Sequence, residues 1–168
     1  ESSPKDHAQP KLQTFDYVKP GDPLDHPRPR LFDIASKKEI PLKNDLFANP
    51  WSLSDFNWDA DSSQFTFLYN QRGHQVLRVV AIESQSGKTS ALVEETPDTF
   101  VCYSSKKYYH RIESTKEIIW MSERSGWNHL YRVDGYSGDV QPITRGDWVV
   151  RRVVSVDRAN QQIWFMAG

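Results

Sequence analysis

Two stretches of this chain lie over one another without a gap. Asp61-Ser62-Ser63-Gln64-Phe65-Thr66-Phe67-Leu68-Tyr69-Asn70-Gln71-Arg72-Gly73 matches Ser114-Thr115-Lys116-Glu117-Ile118-Ile119-Trp120-Met121-Ser122-Glu123-Arg124-Ser125-Gly126 at an offset of 53, polar turn over polar turn and apolar run over apolar run. At the same offset Leu77 meets Leu130 and Val80 meets Val133; Ser86-Gly87 then meets Ser137-Gly138 at 51, and Gln162-Ile163-Trp164-Phe165 repeats Ile118-Ile119-Trp120-Met121 at 44. A four-stranded unit recurring every roughly 40 to 50 residues is the signature of propeller blades. The predicted fold is therefore all-β, a partial β-propeller holding about three four-stranded antiparallel blades' worth of strands.

The phase of the repeat sets the organisation. Naming the strands of a blade A to D, the chain opens with a C–D pair at Leu31-Ile34 and Glu39-Leu42. Two units follow at about Phe56 to Glu94 and Phe100 to Thr144, and Trp148-Val156 with Gln162-Ala167 supply A and B of the next. The spacing predicts a chain that starts and stops in mid-blade, an excerpt of a larger propeller, since closed propellers need about four blades. Its unpaired edges, near Leu31-Ile34 and Ile163-Met166, predict that the two half-blades meet within one molecule or between two as a homodimer. Six of the ten prolines precede Arg30 (Pro4, Pro10, Pro20, Pro23, Pro27 and Pro29), so residues 1–30 are expected as an extended Pro-rich arm and 31–168 as the blade segment. No helical period runs through the sequence, and 12% aromatic residues suit half-buried pleated surfaces.

Composition excludes several functions. A net charge of -1 gives no footprint for gripping phosphates, so nucleic acid is not an expected partner. No apolar run approaches the roughly 20 residues of a membrane-spanning helix. The single Cys102, in Phe100-Val101-Cys102-Tyr103, cannot close a disulfide within the chain and reads as a buried, inert thiol in an apolar strand.

Several stretches resemble the propeller domain of dipeptidyl peptidase IV-like enzymes of the prolyl oligopeptidase type, bacterial members in particular. They are Lys19-Pro20-Gly21-Asp22, Arg28-Pro29-Arg30-Leu31-Phe32-Asp33, Tyr69-Asn70-Gln71-Arg72-Gly73-His74-Gln75, Ser122-Glu123-Arg124-Ser125-Gly126-Trp127-Asn128-His129-Leu130-Tyr131 and Thr144-Arg145-Gly146-Asp147-Trp148. The resemblance implies an eight-bladed propeller capping a C-terminal α/β-hydrolase domain, which removes N-terminal dipeptides from peptides and carries the Ser, Asp and His of the triad. It also favours a periplasmic or secreted location. By this reading the chain alone is no enzyme, although its parent is a serine-type peptidase, and it needs no cofactor.

The residues offer no catalytic set of their own. Gly135-Tyr136-Ser137-Gly138-Asp139 approaches the G-x-S-x-G nucleophile elbow but has its second glycine one position early, so Ser137 reads as hairpin-turn chemistry. The resembled family anchors a substrate amino terminus with a Glu-Glu pair. Glu94-Glu95 follows a D strand rather than preceding a Trp-containing A strand, and reads as a solvated blade edge; the family's Arg-Phe contact has no counterpart between Phe100 and Tyr109. His7, His26, His74, His110 and His129 show no zinc spacing, and no metal site is expected. Arg72, Arg124, Trp127 and Asn128 cluster at B–C turns, where turn geometry and packing are preferred over recognition. Trp51, Trp58, Trp120, Trp148 and Trp164 read as packing between blades. No substrate-binding residue is identified. The competing assignment is a stand-alone binding module, either propeller-like or a β-sandwich, with no enzyme attached.

Overall fold

The computed structural model describes residues 5–6, 8–10 and 12–168, so Pro4 and His7 of the expected arm lie outside the described residues. Residues 12–30 carry no strand; one turn there is closed by Asp22 N–H on the Lys19 carbonyl, with the Asp22 carboxylate accepting from Lys19 N–H at 2.8 Å. Twelve strands follow, and all pairings are antiparallel. β1 (Leu31–Asp33) and β2 (Lys38–Ile40) form a two-stranded sheet. β3 (Pro50–Trp58), β4 (Gln64–Gln71), β5 (Leu77–Glu83) and β6 (Thr89–Glu95) make one complete blade in sequential order. β7 (Tyr109–Ile112), β8 (Glu117–Ser122), β9 (His129–Val133) and β10 (Val140–Pro142) make a second. β11 (Val150–Asp157) and β12 (Gln162–Ala167) close the series as another pair. The helical content among described residues is one 3-10 turn, Asp45–Phe47.

The apolar runs follow from burial on both faces. On β8, Ile118 and Trp120 join Leu68, Val79 and Val93 of the first blade in one cluster, while Ile119 and Met121 join Val150, Ile163 and Phe165 in another. β4 does likewise, turning Phe67 and Tyr69 toward Phe47, Leu31 and Leu42, and Leu68 toward the second blade. A strand sandwiched between two blades cannot alternate apolar with polar, because neither face meets water. Two turn glycines set the stacking distance. A Cβ on Gly87 would stand 2.4 Å from the Pro41 carbonyl oxygen, and one on Gly138 would stand 3.0 Å from that of Leu92, each on the chain leaving the preceding blade's D strand or within it. Both glycines have positive φ, 69° and 78°, and each donates its N–H four residues back, to Glu83 and Asp134.

Three expectations are corrected. Phe100-Tyr103 is not a strand: Val101 N–H bonds the His74 carbonyl at 2.6 Å, and a turn from Cys102 to Lys106 then folds the chain back. The A strand of the first blade begins at Pro50 rather than Phe56, because register shifts between Pro50 and Ser52 and between Ser54 and Asn57, with Asp55 at φ 54°, break the alternation that would have revealed it. The half-blades β1–β2 and β11–β12 do not pair within the molecule, since two complete blades stand between them.

Candidate functional site: the cleft between two blades

The longest connection between the described blades, from Glu95 at the end of β6 to Tyr109 at the start of β7, roofs a cleft of about 670 Å³. Its walls are the C and D strands of the first blade and the B strand and B–C turn of the second, including Leu77, Glu95, Glu123 and Arg124, with Cys102 and Lys106 contributed by the connection itself. Glu94 pairs with Arg78, whose guanidinium also donates to the Leu46 carbonyl at 2.8 Å. Glu95 turns inward and accepts from the Trp120 indole Nε1–H at 2.8 Å and from Arg124. Burying a tryptophan on a blade face demands an acceptor for its N–H, and Glu95 supplies it across the joint. Expected on a solvated edge, Glu95 is instead a half-buried tie between blades, with only 14% of its side chain exposed. Lys106 pairs with Glu123 at 2.6 Å across the cleft mouth.

Cys102 also departs from expectation. It is half-buried on the cleft wall, its Sγ 2.9 Å from Ser105 Oγ. That hydrogen bond holds the thiol below its usual range, against the opposing effect of burial and with a smaller contribution from Lys106.

The B–C turns carry aromatic and guanidinium groups. Arg72 lies over the Trp51 ring, the Trp51 and His74 rings meet edge to face, and His74 rests 4.2 Å from Tyr103 while its Nδ1 is 3.0 Å from Asn70 Oδ1. In the second blade Arg124 lies over Tyr131, and His129 meets Trp148 edge to face at 5.0 Å. The buried His129 is held by Thr144 Oγ1 on Nδ1 and the Gly146 carbonyl on Nε2, each at 3.0 Å. Asn128 is turn chemistry, its Nδ2 donating to the Val150 carbonyl at 2.7 Å. Trp127 is not packed away: it stands half-exposed over a hollow of about 450 Å³. Of the tryptophans expected between blades, Trp120 is buried there and Trp148 packs half-buried against Phe165, whereas Trp51, Trp58 and Trp164 are exposed in this chain.

Ser137 sits in the β9–β10 turn, where its N–H donates to Asp134 Oδ1 and its hydroxyl accepts from Asp139 N–H at 3.2 Å. Those backbone donors hold the Asp134 carboxyl below its ordinary value. Among the described residues no three His, Cys, Asp or Glu side chains gather as metal ligands. The blades are tied at their other rim by a buried ionic group that the residue pattern did not reveal. Asp59, at the end of the first A–B turn's leading strand, pairs with Arg111 of β7 and, at 2.8 Å, with Lys116, which also reaches Asp61 at 2.9 Å.

Antiparallel four-stranded meanders stacked face to face, with glycine turns repeating the same contact, define a run of β-propeller blades. The family model for "Dipeptidyl peptidase IV (DPP IV) N-terminal region" matches residues 1–168, and the chain belongs to that family. It is 29% identical over 150 residues to "Probable dipeptidyl peptidase 4" of Aspergillus flavus, covering 82% of this chain and 19% of that protein. To "Dipeptidyl peptidase 4" of Trichophyton rubrum it is 26% identical over 141 residues, covering 80% and 18%. Porphyromonas gingivalis dipeptidyl peptidase 4 superposes with a TM-score of 0.62 at 13% identity, over 82% of this chain and 19% of that one, a likeness of fold. The chain thus spans about a fifth of the length of these relatives.

Proposed function

We propose that this chain is the non-catalytic propeller portion of a serine-type dipeptidyl peptidase, and that the propeller stands over a C-terminal α/β-hydrolase domain and restricts entry to short peptides with a free amino terminus. The observation that carries this reading is the match of the whole chain to an N-terminal region whose relatives are named dipeptidyl peptidases. The chemistry of the blades agrees with it. Ser137 is spent on its own turn, and the buried His129 has both ring nitrogens engaged by Thr144 and Gly146, so neither is free to form a nucleophile–base pair.

A fluorogenic Gly-Pro substrate tests both halves of the proposal. The polypeptide carrying a hydrolase domain should release the fluorophore, and the 168-residue chain should release none above buffer. Turnover by the purified chain itself, or a gene with no hydrolase domain, would refute the reading.

A further inference from the structure

The repeat reaches further back than the first strand. Thr14-Phe15-Asp16-Tyr17 lies over Thr66-Phe67-Leu68-Tyr69 of β4 at an offset of 52, and at the same offset Gly21 lies over Gly73. The turns that follow are alike: Asp22 N–H bonds the Lys19 carbonyl at 3.0 Å and His74 N–H bonds that of Gln71 at 2.9 Å, with Gly21 at φ 97° and Gly73 at φ 96°. A B–C turn is thus already formed in the Pro-rich arm. The C–D turn of the first half-blade repeats as well, at an offset of 50. Asp33 bonded to Ser36 takes the place of Glu83 bonded to Ser86, the positive φ of Lys37 that of Gly87, and Lys38 that of Lys88.

The strand that these turns should flank is not in place. β1 pairs with β2 alone among the described strands, which leaves its other edge open, while Leu12, Phe15 and Tyr17 stand 92%, 82% and 78% exposed. On the first complete blade Phe56 is exposed and stacks on Phe65, beside the cluster that Leu31 of β1 borders. An open edge recruits a strand, and a segment already joined to it by a short connection reaches it at the least entropic cost. We infer that residues 12–18 are the B strand of this half-blade, a strap that closes on β1 and extends its sheet over Phe56 and Phe65. The two offsets fix the register. β4 pairs Gln64 with Glu83, Phe65 with Ile82 and Thr66 with Ala81, so Leu12 meets Asp33, Gln13 meets Phe32 and Thr14 meets Leu31. Phe15 and Tyr17 then take the positions of Phe67 and Tyr69. Pro27 and Pro29 fall opposite Val18 and Asp16 and donate no N–H, so the ladder is firmest over residues 12–14.

The test uses the full polypeptide that carries these blades. In the wild type the peptide spanning residues 12–18 should exchange its amide hydrogens at least about tenfold more slowly than unstructured chain, the mark of a paired strand. In a Cys102→Ser background, Gln13→Cys with Phe32→Cys sets two thiols opposite one another on one face of the sheet, whereas Thr14→Cys with Phe32→Cys sets them on opposite faces. The first pair should oxidise to an intramolecular disulfide, read by mass after alkylation, and the second should keep both thiols free. Exchange of residues 12–18 at the unstructured rate, no disulfide in the first pair, or a yield in the second pair equal to or above that of the first would each overturn the inference.

Discussion

Removing the carboxylate of Asp59 should destabilise the blade stack far more than removing its partner Arg111. Both side chains are essentially out of water, at 0% and 4% exposure, and Lys116 on the same carboxylate is 12% exposed. Asp59→Ala therefore strands two cations, with only the half-exposed Asp61 left to Lys116. Breaking a buried pair by deleting one partner costs about 3–5 kcal/mol, most of it the penalty of the uncompensated charge. Arg111→Met leaves Asp59 still paired with Lys116 and deletes a side chain with two unpartnered nitrogens, so about 1–3 kcal/mol is expected, the range for a buried group losing a hydrogen-bond partner. The double variant Asp59→Leu/Arg111→Met should recover most of the Asp59→Ala loss, because a packed apolar pair replaces a desolvated ionic one. Guanidinium unfolding of the polypeptide carrying these blades, compared at constant m, reads the three values. If Asp59→Ala costs under about 1 kcal/mol, or less than Arg111→Met, the ionic group behaves as a surface pair and the reasoning fails.

Trp120→Phe leaves Glu95 without the indole donor and opens space at a fully buried site; a loss of about 2–4 kcal/mol is expected in the same unfolding experiment. Gly87→Ala should cost more than Gly73→Ala although both glycines have positive φ, since a Cβ at Gly87 meets the Pro41 carbonyl and one at Gly73 meets nothing within 4 Å. Equal Tm losses would place the whole effect in backbone strain. The turn carboxylates Asp33, Asp61, Asp134 and Asp157 are all held below the usual 3.8, by Ser36, Ser63, the Ser137 backbone and Asn160 first among their partners. Groups with depressed folded-state pKa add stability above the unfolded value and lose it as pH falls through the folded one, so Tm should drop below about pH 4. Asp134→Asn, which keeps the turn acceptor without titrating, should make that drop shallower. Cys102 should react with a disulfide reagent at pH 7 faster in the wild type than in Ser105→Ala, because the Ser105 hydrogen bond holds the thiol pKa down; equal rates would remove Ser105 from the account.

The parts of the fold legible in the sequence are those where one residue type has one structural use. The B strands stand out because Ile118-Ile119-Trp120-Met121 and Phe65-Thr66-Phe67-Leu68 must be buried on both faces, and the C–D turns because Ser86-Gly87 and Ser137-Gly138 bring a positive φ against a neighbouring backbone. Pro142 ends β10 on the outer edge of its sheet, where a missing N–H is tolerated. What stayed hidden depends on partners remote in sequence. Apolar Phe100-Val101-Cys102-Tyr103 has strand composition but no neighbouring strand to pair with, and Glu95 finds Trp120 and Arg124 at separations of 25 and 29 residues. Two signals were available. A tryptophan inside an apolar run needs an acceptor for its N–H, and an arginine inside a strand, as Arg111 in Tyr109-His110-Arg111-Ile112, needs a counter-charge. Neither says which of the chain's acids will serve.

The uneven repeat contains one further trace of the cleft. The B strands of successive units begin at Gln64, Glu117 and Gln162, so one period is 53 residues and the next 45. The B–C and C–D turns of the two complete blades differ by one residue each, whereas the connection from D to the next A takes residues 96–108 in the first case and 143–149 in the second, thirteen against seven. That connection adds six residues; β4 to β6 is a further six longer than β8 to β10, and β7 with its turn is four shorter than β11 with its turn. A seven-residue link suffices to carry the chain from β10 to β11, so the longer one has length to spare, and Thr96, Phe100, Cys102 and Lys106 from it line the cleft. Blade stacking constrains the C–D turns through the Gly87 and Gly138 contacts, and the D-to-A connection carries no such contact and can vary in length without disturbing them. The thirteen-residue connection marks the point at which the scaffold is free to build a surface.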